Sequence, residues 1–191
     1  MNNYEYIIAS LPDIAKDAGK LDVDLLIGKI RGQCSGPDNA LIDILLACYE
    51  PDRLDKGLYD SAAHCRNAFI RDYLLFDLKL RNTKVEYLNK ALGRPVSQDM
   101  MPLPDGVGEE FDERPQAEAV LSGNDILARE KGLDDLMWTK AEELVQMHVF
   151  DIDIILAFIA RIKIADRWNK LDPATGRELF RSLVQEIRNT R

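Results

Sequence analysis

"IDIILAFIARIKIADRWNKL", residues 152–171, decides the fold. Apolar side chains fall on nearly every side of a helical projection of this stretch, and a helix that is apolar all round is one buried by its neighbours. No glycine or proline interrupts it, yet it carries Arg161, Lys163, Arg167 and Lys170. On the helical projection Lys163, Arg167 and Lys170 share one side with Asp166, a side that water can reach. Arg161 falls opposite, among Ile154, Ala157, Phe158, Ala165 and Trp168, where a guanidinium must meet a carboxylate or bear a large desolvation cost.

The carboxylate is found in the second long helical pattern, which runs from about Asp60 to Leu92 without glycine or proline and stops at Gly93 and Pro95. Phe69, Tyr73, Phe76 and Leu80, with Leu74, Leu78, Leu88 and Leu92, make a wide apolar arc that encloses Asp77 and Arg81. These two are four residues apart with the acid first, the order that favours an intrahelical ion pair. Asp77 is also the carboxylate best placed to receive Arg161. Asp77, Arg81 and Arg161 are therefore the candidate site residues, under two readings: a core ion network that fixes helix register, or a docking site for an anion or partner. The phrases "FDLKLR" at 76–81 and "FIARIK" at 158–163 share an order of Phe, two residues, a base, an aliphatic and a base, which hints at a duplicated helical unit.

Outward from these two helices the chain reads as all-α. Strand-like alternation appears only briefly, in "YEYIIAS" at 4–10. "LDVDLLIGKIRGQC" (21–34) and "DNALIDILLACYE" (38–50) predict a helical pair broken by Ser35–Pro37, with Asp38 capping the second helix and Pro51 closing the hairpin. Residues 94–115 hold prolines 95, 102, 104 and 115 together with Gly106 and Gly108, which predicts a long, mobile, irregular connection. Met100, Met101, Leu103 and Phe111 are its available anchors. Short helices are expected at 116–121 and 124–131, then an amphipathic helix over 133–150 with Asp134 and Asp135 in its first turn. A last helix begins with Asp172 as N-cap and Pro173 at its first position. The fold class is thus all-α, a helical bundle with long antiparallel helices and one long irregular connection. It is a single domain over 1–191, or two helical halves, 1–93 and 116–191, joined by 94–115.

Composition removes several functions. With 33 acids against 25 bases and a net charge of −8, the chain is repelled by phosphate backbones and anionic lipid, so nucleic acid is not a partner. Charge is also segregated: 94–153 holds 15 acids and 5 bases, whereas 154–191 holds 4 acids and 8 bases. Cys34, Cys48 and Cys65 form no CxxC pair and read as reduced thiols. The start carries no basic segment followed by an apolar run, and the apolar runs at 41–49 and 154–160 are too short to cross a bilayer. A soluble, cytoplasmic protein with no direct membrane insertion is expected.

Catalytic signatures are missing. The two histidines, His64 and His148, lie in no HExxH or comparable frame. "HC" at 64–65 has no second ligand pair at zinc spacing. His148 falls on the helical face of Leu133, Met137, Ala141 and Leu144, as a core or pocket-edge histidine. "EEFDER" at 109–114 reads as a solvated loop, and "GVG" lacks the Lys and Ser or Thr of a phosphate loop. The residues therefore give no catalytic, cofactor or metal site; a helical enzyme with a site near His148 or the Asp77 and Arg161 pair is the rival class, and a soluble adaptor a third.

Three phrases taken together, "YEYIIASLPDI", "FDLKLRN" and "IADRWNKLDPATGRELF", resemble a family of short bacterial proteins encoded among the components of V-type (vacuolar/archaeal-type) ATPases. That family is in turn similar to a shortened form of the C-type subunit (d-type in eukaryotes), the all-helical funnel that couples the rotor shaft to the membrane ring. The full-length funnel is built of three related helical units, and this chain has room for fewer. The resemblance implies a non-enzymatic subunit or assembly factor, without a cofactor, whose partners are the central stalk and membrane ring. It carries over no catalytic residue.

Overall fold

Helical spacing resolves, in a computed structural model that describes residues 4–14 and 22–171, into eight α-helices and one 3₁₀ turn among those residues. In chain order they are α1 (Tyr4–Ala9), α2 (Val23–Arg31), α3 (Gly36–Ala47), the 3₁₀ turn Pro51–Arg53, α4 (Lys56–Ala63), α5 (Ala68–Ala91), α6 (Arg114–Leu121), α7 (Ile126–Glu143) and α8 (Ile152–Lys170). The described residues contain no strand, and the class is all-α as the periodicity predicts. The expected helix at Asp172 and Pro173 lies outside the described residues.

Local chemistry moves four boundaries. Ser35, not Asp38, caps α3: its Oγ accepts from the Asp38 amide at 3.3 Å while Asp38 Oδ2 accepts from the Ser35 amide at 3.1 Å. This reciprocal capping box draws Gly36 and Pro37 into the first turn, where proline's missing N–H is harmless. The pattern expected as continuous from Asp60 to Leu92 breaks at 64–67, because Asn67 Oδ1 accepts from the Ile70 amide at 2.8 Å and starts a new helix. The helices expected at 124–131 and 133–150 are one helix, capped by Asp125, whose Oδ1 accepts from the Leu127 amide at 2.9 Å. Asp134 and Asp135 therefore sit in the middle of α7 rather than in its first turn. Because α7 ends at Glu143, His148 lies in the link to α8 and not on the helical face of Leu133 and Met137.

The side chains fix the register of the long helices. Lys84 of α5 reaches Glu130 of α7, while Lys140, at the other end of α7, lies 5.2 Å from the Phe76 ring, so α5 and α7 are antiparallel. Arg167 meets Glu130 and Arg161 meets Glu142, so α7 and α8 are antiparallel too. Asn67 and Asp153 bring the starts of α5 and α8 together across 2.5 Å. At the centre stands α8, with eleven of its nineteen residues buried, packed on α1, α2, α3, α5 and α7. Residues from before and after the 94–115 connection share one core, including Ile42, Tyr59, Leu74, Leu121, Trp138 and Phe158. Among the described residues no helix is long and apolar enough to cross a membrane.

The connection is irregular as expected, with Met101, Leu103 and Phe111 packed against the core as its anchors, and side chains of α5 pin it at several points. After α5, Gly93 takes φ +65°, the left-handed conformation that ends a helix at little cost for glycine. The buried Asn82 donates to the Met101 carbonyl at 2.7 Å and accepts from the Met101 amide at 2.9 Å. Asn89 donates to the carbonyls of Val96 and Gln98, and Lys79 to that of Glu110. Phe111 meets Phe76 edge-on at 5.4 Å. Polar side chains of α5 thus satisfy backbone groups that a proline-rich segment cannot satisfy for itself.

Candidate functional site

Of the three candidate residues, the structure brings two together. Asp77 is buried on α5, and its Oδ2 accepts from Arg81 Nε and from the Tyr59 hydroxyl, each at 2.6 Å. Arg81 Nη2 also reaches the Cys48 carbonyl at 3.5 Å. Burial works against the Arg81 charge, but the Asp77 carboxylate outweighs it and pushes the guanidinium pKa up. Burial, and after it the Asp77 charge, pushes the Tyr59 hydroxyl up as well. The same two causes push the Cys48 thiol well above the ordinary thiol range, which leaves it unreactive.

Arg161 does not join this pair, contrary to expectation. Its Nη1 donates to Glu142 Oε1 at 3.1 Å, and its guanidinium carbon lies 5.6 Å from the centroid of the Trp138 ring. Trp138 Nε1 donates to the same Glu142 oxygen at 2.8 Å. The reason is reach: a long stem can lie along apolar neighbours and deliver its head to the rim, so a position that looks buried on a helical wheel need not bury its charge. The Arg161 side chain is 25% exposed, and its ion pair belongs to the seam between α7 and α8.

The place Arg161 leaves is filled by charges that sequence reasoning passed over. Arg167 donates through Nη1 to Asp134 at 3.1 Å and through Nη2 to Glu130 at 3.2 Å. Lys84 meets the other oxygen of Glu130 at 2.5 Å, and Trp168 Nε1 donates to Asp134 at 2.8 Å. Burial raises the Asp134 carboxyl, with Arg167 and Trp168 opposing it. At Glu130 burial pushes the same way, but Lys84 and Arg167 prevail and hold the carboxyl below its usual range. The signal was present as spacing: Glu130 with Asp134, and Lys163 with Arg167, are each four apart, so each pair lies on one face of its helix.

Asp134 and Arg167, with Tyr49, Asp77, Arg81 and Lys163, line a cleft of about 320 Å³ between α5, α7, α8 and the link that follows α3. Tyr49 is fixed there by its hydroxyl, 2.9 Å from that of Tyr73 and 3.2 Å from the Ala160 carbonyl. A smaller cleft shares Asp77, Arg81, Asp134 and Arg167 and adds Lys84 and Glu130. The arrangement can recognise charge; its one thiol is unsuited to nucleophilic work.

A second cluster lies at the start of α8. His148 Nδ1 is 2.5 Å from Asp151 Oδ2 and 3.8 Å from Asp153 Oδ2, and the three side chains bring a ligating atom each within 4.8 Å of one another. This is the donor set that suits a divalent cation. Its geometry also has a local origin, since Asp151 Oδ1 caps α8 by accepting from the amides of Asp153 and Ile154, and Asp153 Oδ1 accepts from Asn67. Cys34, Cys48 and Cys65 form no disulfide.

Residues 104–190 match the family described as "Protein of unknown function (DUF2764)". The matched range includes Asp134, Glu142, His148, Lys163 and Arg167, and it leaves Asp77 and Arg81 outside. No curated protein and no solved structure matches the chain.

Proposed function

We propose that the protein is a non-catalytic helical component or assembly factor of a V-type ATPase, similar to the C-type funnel, which links the soluble rotor to the membrane ring. It works in the cytoplasm, peripheral to the membrane through its partners. The resemblance of "YEYIIASLPDI", "FDLKLRN" and "IADRWNKLDPATGRELF" supplies the family, and an all-helical fold is of the class this implies.

The observation that carries a spacer role is the chemistry of the two ends of the α5, α7 and α8 stack. At the end where α7 turns into α8, Met147, Val149 and Phe150 are 92%, 63% and 53% exposed. At the opposite end Leu92, Ile126 and Leu127 stand in water. Between them α5 alone, with 24 residues, is a rod of roughly 36 Å. Apolar groups exposed at both ends of a stiff stack suit docking onto two partners, and the ion pairs along the sides hold the rod in register.

Affinity purification of the tagged protein from its native cells tests this. Proteins of the central stalk and membrane ring should copurify, and Met147→Asp with Phe150→Asp should release one set while the melting temperature stays unchanged. Recovery without any other ATPase component would end the proposal.

A further inference from the structure

We propose that the cleft between α5, α7, α8 and the link after α3 binds a small oxyanion of the phosphate or carboxylate class, held by Lys163 together with Arg81 and Arg167. The charges in its wall do not cancel. Asp77 is engaged by Tyr59 and Arg81, and Asp134 by Trp168 and Arg167. Glu130, in the adjoining cleft, is engaged by Lys84 and Arg167. Every acid is thus matched, and Lys163 is left over: half-buried on α8, it has no carboxylate partner among the described residues. Arg81 uses Nε and Nη2, and Arg167 uses both of its Nη atoms. Each therefore retains a nitrogen, Nη1 of Arg81 and Nε of Arg167, without an acceptor among the described residues.

A half-buried ammonium without a counter-charge is unusual in a chain whose net charge is −8, because acids to pair with it are plentiful. Acids already engaged leave nothing for a cation to bind, so the ligand is an anion. Its size is bounded by the cleft, which at about 320 Å³ lies at the small end of the range for ligand pockets. Pro51, Leu54 and Met137 add apolar lining that suits a compact organic body on the oxyanion. Arg81 and Lys163 also hold the same final place in "FDLKLR" and "FIARIK", so the repeated phrase delivers one base to the cleft from each of two helices.

The test is isothermal titration calorimetry of the full chain, at fixed ionic strength, with inorganic phosphate, pyrophosphate and citrate as separate probes. At least one should bind with one site per chain, and the probe that does identifies the class. Lys163→Met, which keeps the stem and removes the charge, should weaken that binding about tenfold or more, as expected for a charge-assisted contact. Lys163→Arg should restore most of it. Lys170→Met, which removes a base on the same helix outside the cleft, should leave it unchanged. The proposal is overturned if none of the probes binds, if Lys163→Met binds as the parent does, if Lys163→Arg fails to restore binding, or if Lys163→Met and Lys170→Met weaken binding equally.

Discussion

Val120 Cγ1 stands 2.6 Å from the point at which a side chain on Gly132 would begin. The helices α6 and α7 meet there, side chain against backbone, and only glycine permits the approach. Alanine is the better helix former by about 1 kcal/mol, yet Val120 is stiff at χ1 and cannot swing clear. Gly132→Ala should therefore destabilise the protein by about 1 to 2 kcal/mol, and Val120→Ala in the same chain should recover part of the loss. Gly28→Ala is the control: nothing lies within 4 Å of a side chain at Gly28, so stability should rise by about 0.5 to 1 kcal/mol. Urea unfolding of the parent and these variants checks both signs.

Asp77 and Arg161 should behave as strangers. Asp77→Leu leaves the Tyr59 hydroxyl buried without an acceptor and strips Arg81 of its partner, at a cost of about 3 kcal/mol. Arg161→Leu breaks a pair whose acid, Glu142, is about half exposed, and together with the loss of the Trp138 contact it should cost about 1 kcal/mol. With no shared partner, the two losses should add in a double-mutant cycle. A coupling above about 1 kcal/mol would place the two charges in one network after all.

Asn82 ties the 94–115 connection to α5 through both faces of its amide. Asn82→Ala should cost about 1 to 3 kcal/mol, since the Met101 amide and carbonyl lose their partners. Limited proteolysis should cut the variant between Arg94 and Asp105 well before the parent chain. Equal cutting of the two would mean that the connection is held elsewhere.

Glu86 gives the acid limb of stability a specific origin. Hydrogen bonds from Lys90 and then Arg114 hold its carboxyl below the usual range, against the opposing effect of burial. A depressed carboxyl contributes stability that is present above its unfolded pKa and is lost as pH falls through the folded one. Glu86→Gln should thus be less stable than the parent at neutral pH, and the gap should close between about pH 5 and pH 3. Urea midpoints across that range measure it; a gap that stays constant would show that Glu86 does not titrate with folding.

Fold class was legible because apolar periodicity is a property of the chain itself: α8, α5 and the hairpin of α2 and α3 follow from spacing alone. Boundaries were harder where two signals competed. Ser35 and Asp38 are both capping residues, and only the reciprocal pair of hydrogen bonds selects the first. At Asn67 a cap lies inside an unbroken helical pattern, and at Gly132 a residue that commonly ends helices is retained inside one by its contact with Val120. Of the candidate site, Asp77 and Arg81 could be paired because they are one turn apart on one helix. Arg161 could not be placed, because the partner of a long side chain depends on which helix lies beside it. Glu142, Asp134 and Glu130 all come from α7, where spacing predicts two helices, 124–131 and 133–150.

The position of α8 in the sequence also sets an order of events. The Tyr49 hydroxyl meets the Ala160 carbonyl across 111 residues of chain, and α1, α2 and α3 all rest on the same late helix. Contacts this distant form slowly. At translation rates of about 5 to 20 residues per second, the early helices wait roughly 5 to 20 seconds for the surface that covers them. During synthesis, then, α3 and α4 can already pack on α5 while α1 and α2 wait for the helix they rest on, and a ribosome that stalls before Asp151 would leave the α8-facing sides of α1, α2 and α3 to chaperones or to one another.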